Sequence, residues 1–359
     1  MSGPILIIGG GGVFGSRIAQ GLLRDGVEEV VIAGRRNLDA LANSMGCNVV
    51  VLDRDSTDIK ERLQALQPFC VIDAAGPFQA YGDEAYRLAK AAISAGAHYL
   101  DLSDDGVFTK EIIMLDDAAK AKGVVVRSGV SSVPAISAAA VHVLSEGMRS
   151  IDLIDTVILP GNRAPRGLSV MRAILAQVGK PLGGDVQDFG WIGAKRIKVE
   201  TPTGVLRRWA SPIGAPDLHL MKRAFGAKAV RFRAGLELSV MHLGLNFLAR
   251  LVKLGVLPSA LPLVGGLHRV ASWLEPFGTD RGAMVVRVLG DGIERKWTLL
   301  AEAGDGPHVP ALPARILVRK LLQGSLPVGA APALYDLELD EVESAAPELQ
   351  LNFARHSKG

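Results

Sequence analysis

The run Gly9-Gly10-Gly11-Gly12-Val13-Phe14-Gly15 follows directly on the apolar segment Ile5-Leu6-Ile7-Ile8 and leads into a helix-compatible stretch, Ser16 to Arg24. Strand, glycine turn and helix in that order present unpaired N–H groups and a positive helix end to a pyrophosphate. Two frames fit: G-x-G-x-x-G through Gly10, Gly12 and Gly15, or G-x-x-G-x-x-G through Gly9, Gly12 and Gly15. Both end on Gly15, where a side chain would separate helix from strand. Val13 and Phe14 stand at the helix start and belong to the same expected cradle. Arg35 lies 20 residues after Gly15, at the end of the next apolar segment, with Arg36 beside it. A fold that binds NAD carries an acid there for the ribose 2′-hydroxyl. A guanidinium instead forks onto a 2′-phosphate, so the expected ligand is NADP(H).

Hydride transfer asks the protein to place the nicotinamide and, in most cases, to supply a proton. Ala75-Gly76-Pro77 follows the fourth strand, where the backbone passes the nicotinamide end. Asp53 ends the third strand and is either an adenine-side contact or a turn residue. Four side chains on the loops and strand ends that face the expected crevice are candidate proton donors or substrate anchors: Tyr81, Tyr99, Asp101 and Ser132. Tyr81 would supply a phenol, with packing as the alternative. Tyr99 and Asp101 share one strand face by period two. Ser131-Ser132 precede Pro134 and either cap a helix or place its N-terminus against a substrate carboxylate or enolate. No His, Cys or acid spacing predicts a metal site, and no G-x-S-x-G predicts a serine nucleophile.

The elements that must position these residues alternate. Strands are expected at 5–8, 28–33, 48–52, 70–73, 97–100 and 124–127. Helices are expected at 16–24, 58–67, 83–95, 109–122 and from 134 to about 147. That rhythm predicts an α/β fold, a Rossmann doubly wound parallel sheet over residues 1–150. From Ile151 the rhythm changes to longer strands such as 229–238, 283–289 and 295–301, with a helix at 168–178. A second α+β domain on a mixed or antiparallel sheet is expected over 151–305. Residues 306–359 read as a C-terminal extension, whose helix near 310–325 is expected to pack back on the first domain.

At 359 residues the chain can hold two cores, and its net charge of +3 gives no basic face for nucleic acid. The two cysteines, Cys47 and Cys70, form no C-x-x-C and fit reduced core residues in a cytoplasmic protein. The apolar start has no basic leader segment or cleavage site and reads as a strand, not a signal peptide. Hydrophobic residues make up 48%, and the mean hydropathy is +0.26. Much of that apolarity gathers in residues 241–274, where Leu254 to Leu267 carries no charge. Broken by Pro258 and Pro262, this run is too short to span a bilayer. On helical spacing Asn246, Arg250 and Lys253 form a polar stripe, with Arg269 and Trp273 one turn apart beyond it. Core or a homodimer interface is the default reading; peripheral membrane contact or a lipid-like substrate is the alternative.

Several segments together resemble the saccharopine dehydrogenase-like oxidoreductases: GGGGVFG, AGRR, DAAGPFQAYG, the strand end Ala97–Ser103, and GVSSVPAIS at Gly129–Ser137. GNRAPRGL and AGDGPHVPALPA extend the resemblance, to bacterial members of unknown substrate, over nearly the whole chain. It implies a Rossmann domain, a second domain on a mixed sheet, and reversible hydride transfer with NADP(H). The lysine-pathway enzymes carry an aspartate in G-L-D-P-G, where this chain has Gly129-Val130-Ser131-Ser132-Val133-Pro134. It is closer there to the trans-acting enoyl reductases, although their aspartate is missing. The expected activity is therefore reduction of a C=N, C=O or C=C bond on an apolar small molecule. A non-catalytic NADP(H)-binding regulator, or a protein whose main task is lipid contact, are the rivals.

Overall fold

Four consecutive buried aliphatic residues make β1 (Ile5–Ile8), as a strand covered on both faces requires. The computed structural model describes residues 3–165, 167–183, 187–201 and 204–358; Arg166 of the GNRAPRGL segment lies outside them. After β1 come α1 (Val13–Arg24), β2 (Val30–Gly34), α2 (Asp39–Met45) and β3 (Asn48–Val51). The chain continues through α3 (Ile59–Leu66), β4 (Cys70–Asp73), α4 (Arg87–Ser94) and β5 (His98–Asp101). Then α5 (Gly106–Glu111), α6 (Asp116–Lys122) and β6 (Val125–Ser128) complete this stretch. The helix expected over 109–122 is two helices joined by a tight turn, Ile112–Leu115. Helix α2 was not expected, because DALANSM is short and has little apolar periodicity.

The next elements are α7 (Ser137–Leu144), β7 (Leu153–Leu159), α8 (Leu168–Gln177), β8 (Lys195–Thr201), β9 (Gly204–Pro212) and α9 (Pro216–Phe225). They are followed by β10 (Ala229–Leu236), α10 (Ser239–Lys253), α11 (Val264–Leu274), β11 (Gly282–Gly290) and β12 (Ile293–Ala301). Last come α12 (Leu312–Leu322), β13 (Gly329–Pro332), α13 (Leu339–Ser344) and β14 (Leu351–Lys358).

Two compact units result: Met1–Ile136 with Pro307–Ala345, and Ser137–Gly306 with Ala346–Gly359. In the first, seven strands run in the order β13-β6-β5-β4-β1-β2-β3, every neighbouring pair parallel. Strand order reverses between β1 and β4, the place where ligands bind in such sheets. The segment from 306 onward is not a separate extension. Helix α12 lies on α1, where Arg315 forms a two-pronged bond to Asp25 at 2.7 and 2.9 Å. A Cβ at Gly21 would sit 2.3 Å from Arg315 Cδ, so this packing needs glycine there. Strand β13 joins β6, and buried Arg127 clips it on by donating to Gly329 O, Pro327 O and Asp336, each at 2.8 Å.

The second unit holds a seven-stranded mixed sheet, β14-β12-β11-β7-β10-β9-β8, parallel only at β10–β7. Edge strand β8 and its neighbour β9 escape the sequence pattern because Lys195-Arg196-Ile197-Lys198 and Arg207-Arg208 interrupt the apolar residues; β14, the other edge, ends in Arg355-His356-Ser357-Lys358. Buried Arg208 holds Glu237 at 2.9 Å and donates to the carbonyls of Leu159, Pro160 and Arg281. Asp217 is wholly buried and accepts from the Ser137 and Thr156 hydroxyls, each at 3.0 Å; burial raises its pKa to about 7. His242 is buried as well; burial lowers its pKa to about 4, so it is neutral beside the Ser211 hydroxyl at 2.9 Å. The expected polar stripe on α10 is not one stripe. Arg250 and Lys253 are exposed, but Asn246 is buried and donates to Trp191 O at 2.7 Å. Among the described residues, no helix is long and apolar enough to cross a membrane.

Candidate functional site

Gly9 has φ +77°, and its N–H and that of Gly10 both donate to Ala33 O. The turn therefore lies against the end of β2, and it closes through Gly12 N donating to Gly9 O at 2.8 Å. Each glycine has a different steric reason. A Cβ at Gly9 would lie 2.8 Å from Ala75 Cα, at Gly10 2.6 Å from Ile32 Cβ, and at Gly15 2.3 Å from Gly9 O. Gly12 caps α1 with extended backbone and no side-chain hydrogen bond, which leaves the N–H groups of Val13, Phe14 and Gly15 at an uncapped helix start. The sequence expects the helix from Ser16; it starts at Val13, directly on the turn. This is a ready anion site built of backbone alone, and a pyrophosphate fits it without a counter-charge from a side chain.

Arg35 and Arg36 follow the last residue of β2, Gly34, and both are exposed. Asp53 is half-buried after β3; its Oδ1 accepts from Asp55 N at 3.1 Å, the turn role. Ala75, Gly76 and Pro77 follow β4 and are all half-buried.

Two of the four candidates, Tyr81 and Tyr99, converge on a residue that the sequence reading did not single out, Asp73, the last residue of β4. It is fully buried; Oδ1 accepts from Ala75 N at 3.0 Å, and Oδ2 from Tyr81 Oη at 3.0 Å and Tyr99 Oη at 3.4 Å. Burial raises its pKa to about 6, although the Ala75 N–H, the Arg54 cation and the Tyr99 hydroxyl all favour its ionised form. Tyr81 is half-buried and stacks on Phe78 at 4.7 Å, with Phe108 edge-on at 5.5 Å. On its ring face lies Arg54, whose Cζ is 3.2 Å from the ring centroid. Arg54 Nη1 is buried with no partner among the described residues. Arg54 was also passed over by sequence, although it sits in the same ligand-facing turn as Asp53.

Tyr99, the second donor to Asp73, is 1% exposed. Asp101 pairs in register with Asp73 across β4–β5. Its Oδ1 accepts from Ser128 Oγ at 2.8 Å and from Gly129 N and Ser103 N, both at 3.0 Å, which ties the ends of β5 and β6 together. Asp101 Oδ2 is buried with no partner among the described residues, and burial raises this carboxyl to about 7. Ser132 is buried in the turn after Gly129, whose φ of +76° and 2.4 Å virtual contact with Pro134 Cδ exclude a side chain. Tyr81 and Tyr99 thus meet at one carboxylate, while Asp101 and Ser132 belong to the neighbouring strand ends. No group of three His, Cys, Asp or Glu that could hold a metal occurs among the described residues.

Comparison with known proteins matches residues 5–126 to the model of the saccharopine dehydrogenase NADP binding domain. No curated protein sequence matches the chain. Among solved structures, the amine dehydrogenase from Mycobacterium smegmatis is similar at 12% identity and a TM-score of 0.50, over 93% of this chain and 95% of that one. GenD2 from gentamicin A biosynthesis, in complex with NAD, is similar at 15% identity and a TM-score of 0.46, over 100% of this chain and 97% of that one. At 12% identity the likeness to the amine dehydrogenase speaks for the fold alone. Residues 5–126 are thus similar to the NADP binding domain of saccharopine dehydrogenase, a likeness that covers about a third of the chain.

Proposed function

We propose that the chain is an NADP(H)-dependent oxidoreductase that reduces a C=N, C=O or C=C bond on an apolar substrate, with Tyr81 as proton donor. The observation that carries the reading is the uncapped start of α1 on a turn where added Cβ atoms collide with neighbouring atoms. Backbone N–H groups of Val13 to Gly15 would hold the pyrophosphate, and Arg35 and Arg36 the 2′-phosphate. A bound nicotinamide supplies hydride exchange. Tyr81 supplies the proton, and Asp73, when protonated, returns one to the phenolic oxygen. Arg54, on the Tyr81 ring face, places a positive charge over the phenol as negative charge develops on it. Tyr99 holds Asp73 in position.

Loss of NADPH absorbance with a panel of imines, ketones and enones bearing alkyl chains tests this reading. Turnover with at least one class is expected. Tight NADPH binding without oxidation across the panel would mark a sensor and overturn the catalytic reading.

A further inference from the structure

The second unit leaves a broad apolar surface in water. On α10 the residues Val240, Leu243 and Phe247 are exposed at helical spacing, with Phe247 at 63%. The stripe continues through Leu254 at 75%, then Val256, Leu261 and Leu263 in the connecting segment. On α11 it includes Val270 and Trp273, the latter 72% exposed, and it ends at Phe277. Large apolar side chains in this number and continuity mark a contact surface. Beneath them lies a cavity of about 190 Å³, lined by Ile174, Leu236, Leu248 and Leu267 and by the exposed Val240 and Val270. The outer face therefore runs into the interior without a polar rim between.

Charge decides what covers this face. From Ser239 to Phe277 the bases Arg250, Lys253 and Arg269 are exposed, and Glu275 is the one acid in the sequence. Arg250 lies one turn from Phe247 and from Leu254, and Arg269 one turn from Trp273, so cations and apolar side chains share a face. Lys253 Nζ stands 4.1 Å from the Phe189 ring centroid, a cation–π contact at the border of the face. A second copy docking by two-fold symmetry would set this basic patch against itself, with Glu275 the one acid of the segment 239–277 to offset it. An anionic bilayer satisfies both parts, since acyl chains take the apolar residues and headgroups take the cations. Trp273 stands where a headgroup-level aromatic is expected.

We infer that the α10–α11 face docks on a membrane surface rich in anionic phospholipid, as a peripheral contact. The face is made of second-unit residues and the glycine turn of first-unit residues, so the test needs no cofactor and stands whether or not the redox reading holds.

Flotation of the full chain with vesicles of phosphatidylcholine alone, and of phosphatidylcholine with phosphatidylglycerol, provides that test. Binding to the anionic vesicles is expected, with a blue shift of tryptophan emission that Trp273→Ser abolishes and marked weakening at high salt. Two variants separate the contributions: Phe247→Ser with Trp273→Ser, and Arg250→Glu with Lys253→Glu and Arg269→Glu. The second set alters exposed charges only, and should lower partitioning by about a hundredfold. Absence of binding to anionic vesicles, or binding that neither variant set weakens, would overturn the proposal. A concentration-dependent dimer that the Ser variants dissolve, in a chain that ignores vesicles, would overturn it in favour of a second copy.

Discussion

Tyr81→Phe is expected to lower the turnover of NADPH-dependent reduction by about 10²–10⁴-fold, the range for losing a positioned proton donor, and to leave NADPH affinity unchanged. The substitution keeps the ring that stacks on Phe78 and under Arg54, and removes only the hydroxyl that donates to Asp73 at 3.0 Å. A fall in kcat with unchanged cofactor binding is therefore the signature of lost proton transfer. The pH dependence follows from Asp73. Its folded pKa, raised to about 6, means that the carboxyl keeps its proton below that pH and loses it above. Resupply of the Tyr81 proton should weaken, and reduction slow, as pH rises through about 6. Asp73→Asn removes that limb of the profile. Full turnover in Tyr81→Phe, or an unchanged profile in Asp73→Asn, would place the donor elsewhere.

Replacing Arg35 and Arg36 together by alanine should erase most of the preference for NADPH over NADH. Both guanidinium groups are exposed at the end of β2, so their loss leaves no buried gap and no broken packing. Charge-assisted bonds to a 2′-phosphate contribute about 1.5–3 kcal/mol, so NADPH affinity should fall roughly 10- to 150-fold. NADH affinity should stay where it was, since NADH offers these side chains no 2′-phosphate. Parallel titrations of both cofactors into the original chain and the double variant measure this. An equal loss for both cofactors would assign the arginines to a shared part of the ligand.

The cofactor side of the site was legible because its chemistry is local. Gly9 to Gly15 are contiguous, and Arg35 follows at a spacing fixed by one helix and one strand. The proton-transfer side was not legible in full. Tyr81 and Tyr99 could be named as residue types on loops and strand ends, but their meeting point, Asp73, joins residues 8 and 26 positions apart through sheet packing. Nothing in the segment Cys70–Asp73 separates a terminal turn acid from a buried hub. Arg54 was hidden the same way, since stacking on Tyr81 depends on where two loops meet. The mixed sheet was foreseen in kind but not in extent: β8, β9 and β14 are rich in charge, and the alternation in β8, Ile197-Lys198-Val199-Glu200, spans only a few residues. Asn246 went astray for a related reason. An amide on a helix reads as solvated until a backbone carbonyl, here that of Trp191, is found to receive it.

The central claim is that the turn from Gly9 to Gly15 holds a nicotinamide dinucleotide, and equilibrium titration of NADPH into the full chain and into Gly15→Ala tests it most directly. The alanine Cβ would lie 2.3 Å from Gly9 O and 2.9 Å from Gly10 Cα, both backbone atoms of the turn, so the start of α1 must shift away from the cradle. Saturable binding to the original chain is predicted, with affinity at least tenfold weaker in Gly15→Ala, about 1.4 kcal/mol or more. No NADPH binding by the original chain, or equal affinity in a folded Gly15→Ala, would contradict the account.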